Sequence, residues 1–102
     1  MSTFDERESA FENRFAHDAE TRFRILARRD KLVGLWAAAK LGKAGDDADA
    51  YAKQVILSDL EKPGDDDIIA KLVADLGVDS EVIKAELASQ LLIAEAQISG
   101  AA

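Results

Sequence analysis

The chain has 102 residues, a net charge of -7 and a pI near 4.6, a length that suits one domain with a thin core and a charge that argues against nucleic acid or an anionic membrane as the main ligand. Cysteine is absent, which excludes disulfides, thiolate metal sites and cysteine nucleophiles and makes a reducing, cytoplasmic location the default. The first turns carry charge throughout with no apolar signal-like run, and no segment approaches the roughly 20 apolar residues that cross a bilayer, so a soluble protein without direct membrane insertion is expected.

The two ends differ chemically. Up to Gly34 acids and bases balance, and the excess acid lies beyond it; every arginine and every phenylalanine falls before Asp30. From Asp5 to Leu41 there is no proline and only one glycine, Gly34, while apolar residues recur at spacings of three, four and seven. That pattern predicts one long helix with Gly34 as a weak point inside it. Ser2 or Thr3 suits its N-cap, with Asp5, Glu6 and Glu8 at the positive end of the helix dipole. Gly42, followed by Gly45 and Asp46, supplies the chemistry that ends it.

A second helix follows Asp46 or Asp47 as cap, with Ala48, Tyr51, Ala52, Val55, Ile56 and Leu60 as its apolar stripe, and Pro63-Gly64 stops it. Asp65, Asp66 and Asp67 read as the cap of a short third helix carrying Ile68, Ile69, Leu72, Val73 and Leu76, which Gly77 closes. Asp79 or Ser80 opens a fourth, with Val82, Ile83, Leu87, Leu91, Leu92, Ala94 and Ile98, ending at Gly100. No strand is required.

The expected fold is all-α: a four-helix bundle with a long first helix whose N-terminal part protrudes or is flexible. The lengths decide this, because about 55 Å of first helix cannot be covered by partners of about 20, 15 and 30 Å. The densest apolar part, with Phe23, Ile25, Leu26, Leu32, Val33, Leu35 and Trp36, should enter the bundle. Residues 1–18 are then an N-terminal arm and 19–102 an anchoring bundle, monomeric when free.

Catalytic chemistry finds little support. His17 is the lone histidine and has no cysteine partner for zinc, so a solvated helix face suits it better. The acids from Asp47 onward start like a calcium loop, but Ala52 and Ser58 stand where Gly and Glu belong. Asp65 to Asp67 are followed by Ile69 and Lys71 where ligands should be. No phosphate loop or nucleophile elbow is present, and carboxylate pairs arise by chance among 20 acids. The chain is expected not to be an enzyme and to need no metal or cofactor.

The arm remains. Phe4, Phe11 and Phe15 are spaced by seven and four and share one helical face, flanked by Arg7 and Arg14. Each buried Phe is worth roughly 1.5–3 kcal/mol, so three on a protruding arm imply a groove on a partner. Aromatics and arginines are also the residues enriched at binding hot spots. Arg22, Arg24, Arg28 and Arg29 are read as solvated or paired within the chain, and Tyr51 and Trp36 as bundle core. A generic helical adaptor using the same arm, or a bundle that binds a small ligand such as a nucleotide, are alternatives.

The stretches TFDERESAFENRFAHD, ARRDKLVGLWAAAKLG and DAYAKQVILSDLEKPGDDD together resemble the alphaproteobacterial zeta subunit, an inhibitor of the F-type ATP synthase, over nearly the whole chain. The cluster Arg14, Phe15, His17, Asp18 and the run Gly34 to Ala38 are specific in combination. The resemblance implies an inhibitory region, Ser2 to about His17, that inserts between catalytic and rotor subunits of the ATPase head and blocks hydrolysis. Its contacts would be Phe4, Arg7, Phe11, Arg14 and Phe15. It further implies the alpha, beta and gamma subunits as partners, and a cytoplasmic protein held at the inner membrane only through the synthase.

Overall fold

The computed structural model describes residues 19–62 and 64–98. They form four helices: α1 (Ala19–Lys40), α2 (Gly45–Leu60), α3 (Asp66–Leu76) and α4 (Ser80–Ile98). Among the described residues there is no strand. Helix α1 packs mainly on α2 and α4, and α3 bridges α2 and α4 while touching α1 only lightly.

Local chemistry sets the ends. Helix α1 closes with Gly42 in the left-handed region (φ 77°). The Lys43 N–H donates to the Ala38 carbonyl at 2.9 Å and the Gly42 N–H to that of Ala39 at 3.1 Å. This is the Schellman pair, which satisfies carbonyls that the last turn would leave orphaned. Lys40 stands in that turn, its ammonium 5.1 Å from the centre of the Trp36 ring. Helix α3 ends on Gly77 (φ 68°), whose N–H donates to the Val73 carbonyl, so a side chain there would meet the left-handed penalty.

The other boundaries differ from expectation in small ways. Helix α2 begins at Gly45 with Ala44 at the cap position, so Asp46 and Asp47 occupy its first turn, where they favour the dipole without capping. Asp65 holds the cap position of α3 but its side chain makes no cap hydrogen bond; its carboxylate is engaged elsewhere. Helix α4 ends at Ile98, and Pro63 and Gly100 lie outside the described residues. So do Ser2, Thr3 and His17.

The core is built from Val33, Ala37 and Ala38 of α1, Tyr51 and Val55 of α2, Ile68 and Leu72 of α3, and Ile83 and Leu87 of α4, with Trp36, Ala48, Ile69, Val73 and Leu76 packed against it. Tyr51 is therefore core, and Trp36 packs against it half-buried. The Tyr51 hydroxyl donates to Asp75 at 2.7 Å, which holds the Asp75 carboxyl below its ordinary range, while burial pushes the phenol up. Phe23, Leu60, Val82 and Leu92 are corrections: each was placed on a buried stripe, yet they are 53%, 42%, 45% and 69% exposed. Their helices have a buried side, but among the described residues no neighbour covers those positions.

Gly34 is not the weak point that helix propensity suggests. A methyl built on it would stand 2.8 Å from the Ala52 Cα and 3.1 Å from its Cβ, so the glycine is where α1 and α2 come backbone to backbone.

Candidate functional site

The residues assigned to partner binding, Phe4, Arg7, Phe11, Arg14 and Phe15, lie outside the described residues. The described residues that follow them in sequence are the first turns of α1.

Arg22, Arg24 and Arg28 are exposed on α1, the solvated alternative offered for them. Phe23 projects half-exposed, and with Arg22 and Leu26 of α1, Leu60 at the end of α2, and Glu61, Lys62, Gly64 and Asp65 of the following turn it lines an open cleft of about 520 Å³. Phe23 and Leu60, two of the four residues missing from the core, thus line one opening. The cleft combines apolar side chains with charges of both signs, a composition suited to a protein contact.

Beneath this cleft lies a buried ionic cluster. Arg29 is 4% exposed and Asp30 and Asp59 are 0% and 8% exposed. The Arg29 fork meets Asp65 with two bonds, Nη2 to Oδ1 at 2.9 Å and Nη1 to Oδ2 at 3.2 Å, the geometry a planar guanidinium favours. Its Nε donates to Asp30 Oδ1 at 3.0 Å and Nη2 to Asp59 Oδ2 at 3.2 Å. One side chain of α1 thereby ties down the end of α2 and the turn before α3. Burial, followed by the hydrogen bond to Asp59, pushes the Asp30 carboxyl up to about 8. Two oxygens, Asp30 Oδ2 and Asp59 Oδ1, are buried without a donor.

In sequence Arg29 reads as a solvated or intramolecularly paired surface residue, and Asp30 and Asp59 carry no expected role. A signal was present. Asp30 stands three, four and seven residues before Val33, Gly34 and Ala37, and Asp59 follows Ala52 and Val55 by seven and four; all of these are buried. An acid in phase with an apolar stripe is drawn inside with it, and only when a cation arrives too. Asp65 is likewise explained by Arg29 and not by capping. Among the described residues no group of three or more His, Cys, Asp or Glu is arranged to hold a metal ion, and no helix is long and apolar enough to cross a membrane.

A family model described as ATPase inhibitor subunit zeta matches residues 1–99. A structure solved by solution NMR is 37% identical, superposes with a TM-score of 0.71, and the match covers 79% of this chain and 98% of that one. No curated protein matches the chain.

Proposed function

Because the chain belongs to the ATPase inhibitor subunit zeta family, we propose that it is a non-catalytic regulator that restrains ATP hydrolysis by the F-type ATP synthase through residues 1–18. The observation that carries this reading is that the family match runs through the N-terminal segment as well as the bundle. The chemistry of that segment supports it. Phe4, Phe11 and Phe15 are spaced by seven and four, a pattern that on a helix would put them on one face flanked by Arg7 and Arg14, and a groove between the catalytic and rotor subunits, alpha, beta and gamma, would bury that face. Residues 19–102 anchor the arm. A rotary motor turns over only if its catalytic interfaces open and close, so a helix that binds one rotational state better than the others holds the motor there. Free, the regulator is a monomer in the cytoplasm, and it reaches the inner membrane only by way of the synthase.

A double substitution tests the arm chemistry. The F11A/F15A chain should need at least about tenfold more protein for half-inhibition of hydrolysis by the purified ATPase head, since each buried Phe contributes roughly 1.5–3 kcal/mol. Its thermal unfolding midpoint should match the parent's, because this reading assigns both residues to the arm and neither to the bundle. Unchanged inhibition would remove the two phenylalanines from the interface.

A further inference from the structure

We propose that Asp30 keeps a proton that it donates to Asp59 beneath Arg29, and that this proton makes the cluster a pH-sensitive latch holding the turn between α2 and α3 onto α1. This goes beyond the inhibitory function and does not depend on it.

The geometry leads there. One guanidinium faces three carboxyls, and the only one open to water is Asp65, whose side chain is 44% exposed against 0% for Asp30 and 7% for Asp59. Two buried carboxylates beside a single cation leave an uncompensated charge in a low-dielectric site, which is strongly unfavourable. Each also keeps one oxygen without a donor. A proton on Asp30, donated to Asp59, removes the excess charge and puts a donor between two carboxyls that otherwise only accept. Arg29 is then matched by one buried and one exposed carboxylate.

The charged groups around the pair come from every element packed there. Arg22 of α1 and Lys62 of the turn line the cleft over Arg29 and Asp59 and oppose protonation, while Glu61 and Asp65 favour it. Lys84 of α4 borders the opposite side of Arg29 and Asp65, but is turned to solvent with Glu81 at 3.5 Å. Asp66 and Asp67 stand next to Asp65 in the first turn of α3.

A carboxyl that grips its proton more tightly in the folded chain than in the unfolded one adds full stability in acid and loses it as pH rises through the folded value, here about 8. The full-length chain, labelled with 13C at aspartate carboxyls, should therefore show Asp30 titrating above pH 7. Its unfolding midpoint should fall by about 10–20 °C between pH 6 and pH 9. D30N keeps the shape and replaces that proton with an amide N–H, so its midpoint should lack that step. The proposal is overturned if the Asp30 carbon titrates below pH 5, or if parent and D30N lose stability in parallel. Should D30N fail to fold, the titration of the parent chain decides alone.

Discussion

Replacing Arg29 with Met is expected to destabilise the bundle by about 3–5 kcal/mol, read as a shift in the urea midpoint at neutral pH. Met can fill most of the space left by the arginine stem, so the loss is electrostatic in origin. It strands Asp30 and Asp59 in a site where both are buried and removes both bonds to Asp65. Asp65 contributes less than the other two, because water reaches it. A domain with about 5–15 kcal/mol to lose would come close to unfolding. A change below about 1 kcal/mol would mean that water reaches the buried pair and the latch is absent.

The second large effect is expected at Gly34. A valine there must place its Cβ 2.8 Å from the Ala52 Cα and 3.4 Å from the Val55 Cβ, and the nearest of these is backbone, which cannot swing aside as a flexible side chain would. Helices α1 and α2 would have to separate, at a cost of about 3 kcal/mol or more. By helix propensity alone the substitution should help slightly, since glycine is the poorer helix former. The sign of the measured change in chemical unfolding therefore separates the two accounts: a more stable G34V would show that the helices do not rely on this close approach.

Both sites show how far the sequence can be read. Glycine punctuation and apolar period locate α3 and α4 to within a residue or so, because Gly77 and the Asp79-Ser80 start are local signals whose physics does not depend on the rest of the fold. The same holds for Gly42. Period alone gives a direction for each helix, but not the width of the face its neighbours cover. Phe23, Leu60, Val82 and Leu92 sit at the margin of their stripes and remain in contact with water, whereas Ala37, Ala38 and Ala52, which look unassertive in sequence, are at the centre. Small side chains bury well where backbones come close, which is the Gly34 argument again.

The ionic cluster was legible in part. That Arg29 has acids of its own chain to pair with follows from the acidity of everything beyond Gly34. Its burial does not, because it depends on three segments meeting, two of them separated from Arg29 by 30 and 36 positions. Nothing local distinguishes Asp59 from Asp49 or Asp66 except its phase relative to Val55. The partner-binding residues are the reverse case: Phe4, Arg7, Phe11, Arg14 and Phe15 carry a recognisable pattern in the sequence, and they lie outside the described residues. The assignment of binding to them rests on spacing, residue chemistry and the family match.

The measurement that tests the division of labour most directly is ATP hydrolysis by the purified F-type head in the presence of residues 19–102 alone. That fragment should show the helical spectrum and cooperative melt of a folded bundle and leave hydrolysis at the uninhibited rate, while the full chain inhibits. Inhibition by the fragment equal to that of the full chain would contradict the account and move the working surface from the arm to the bundle.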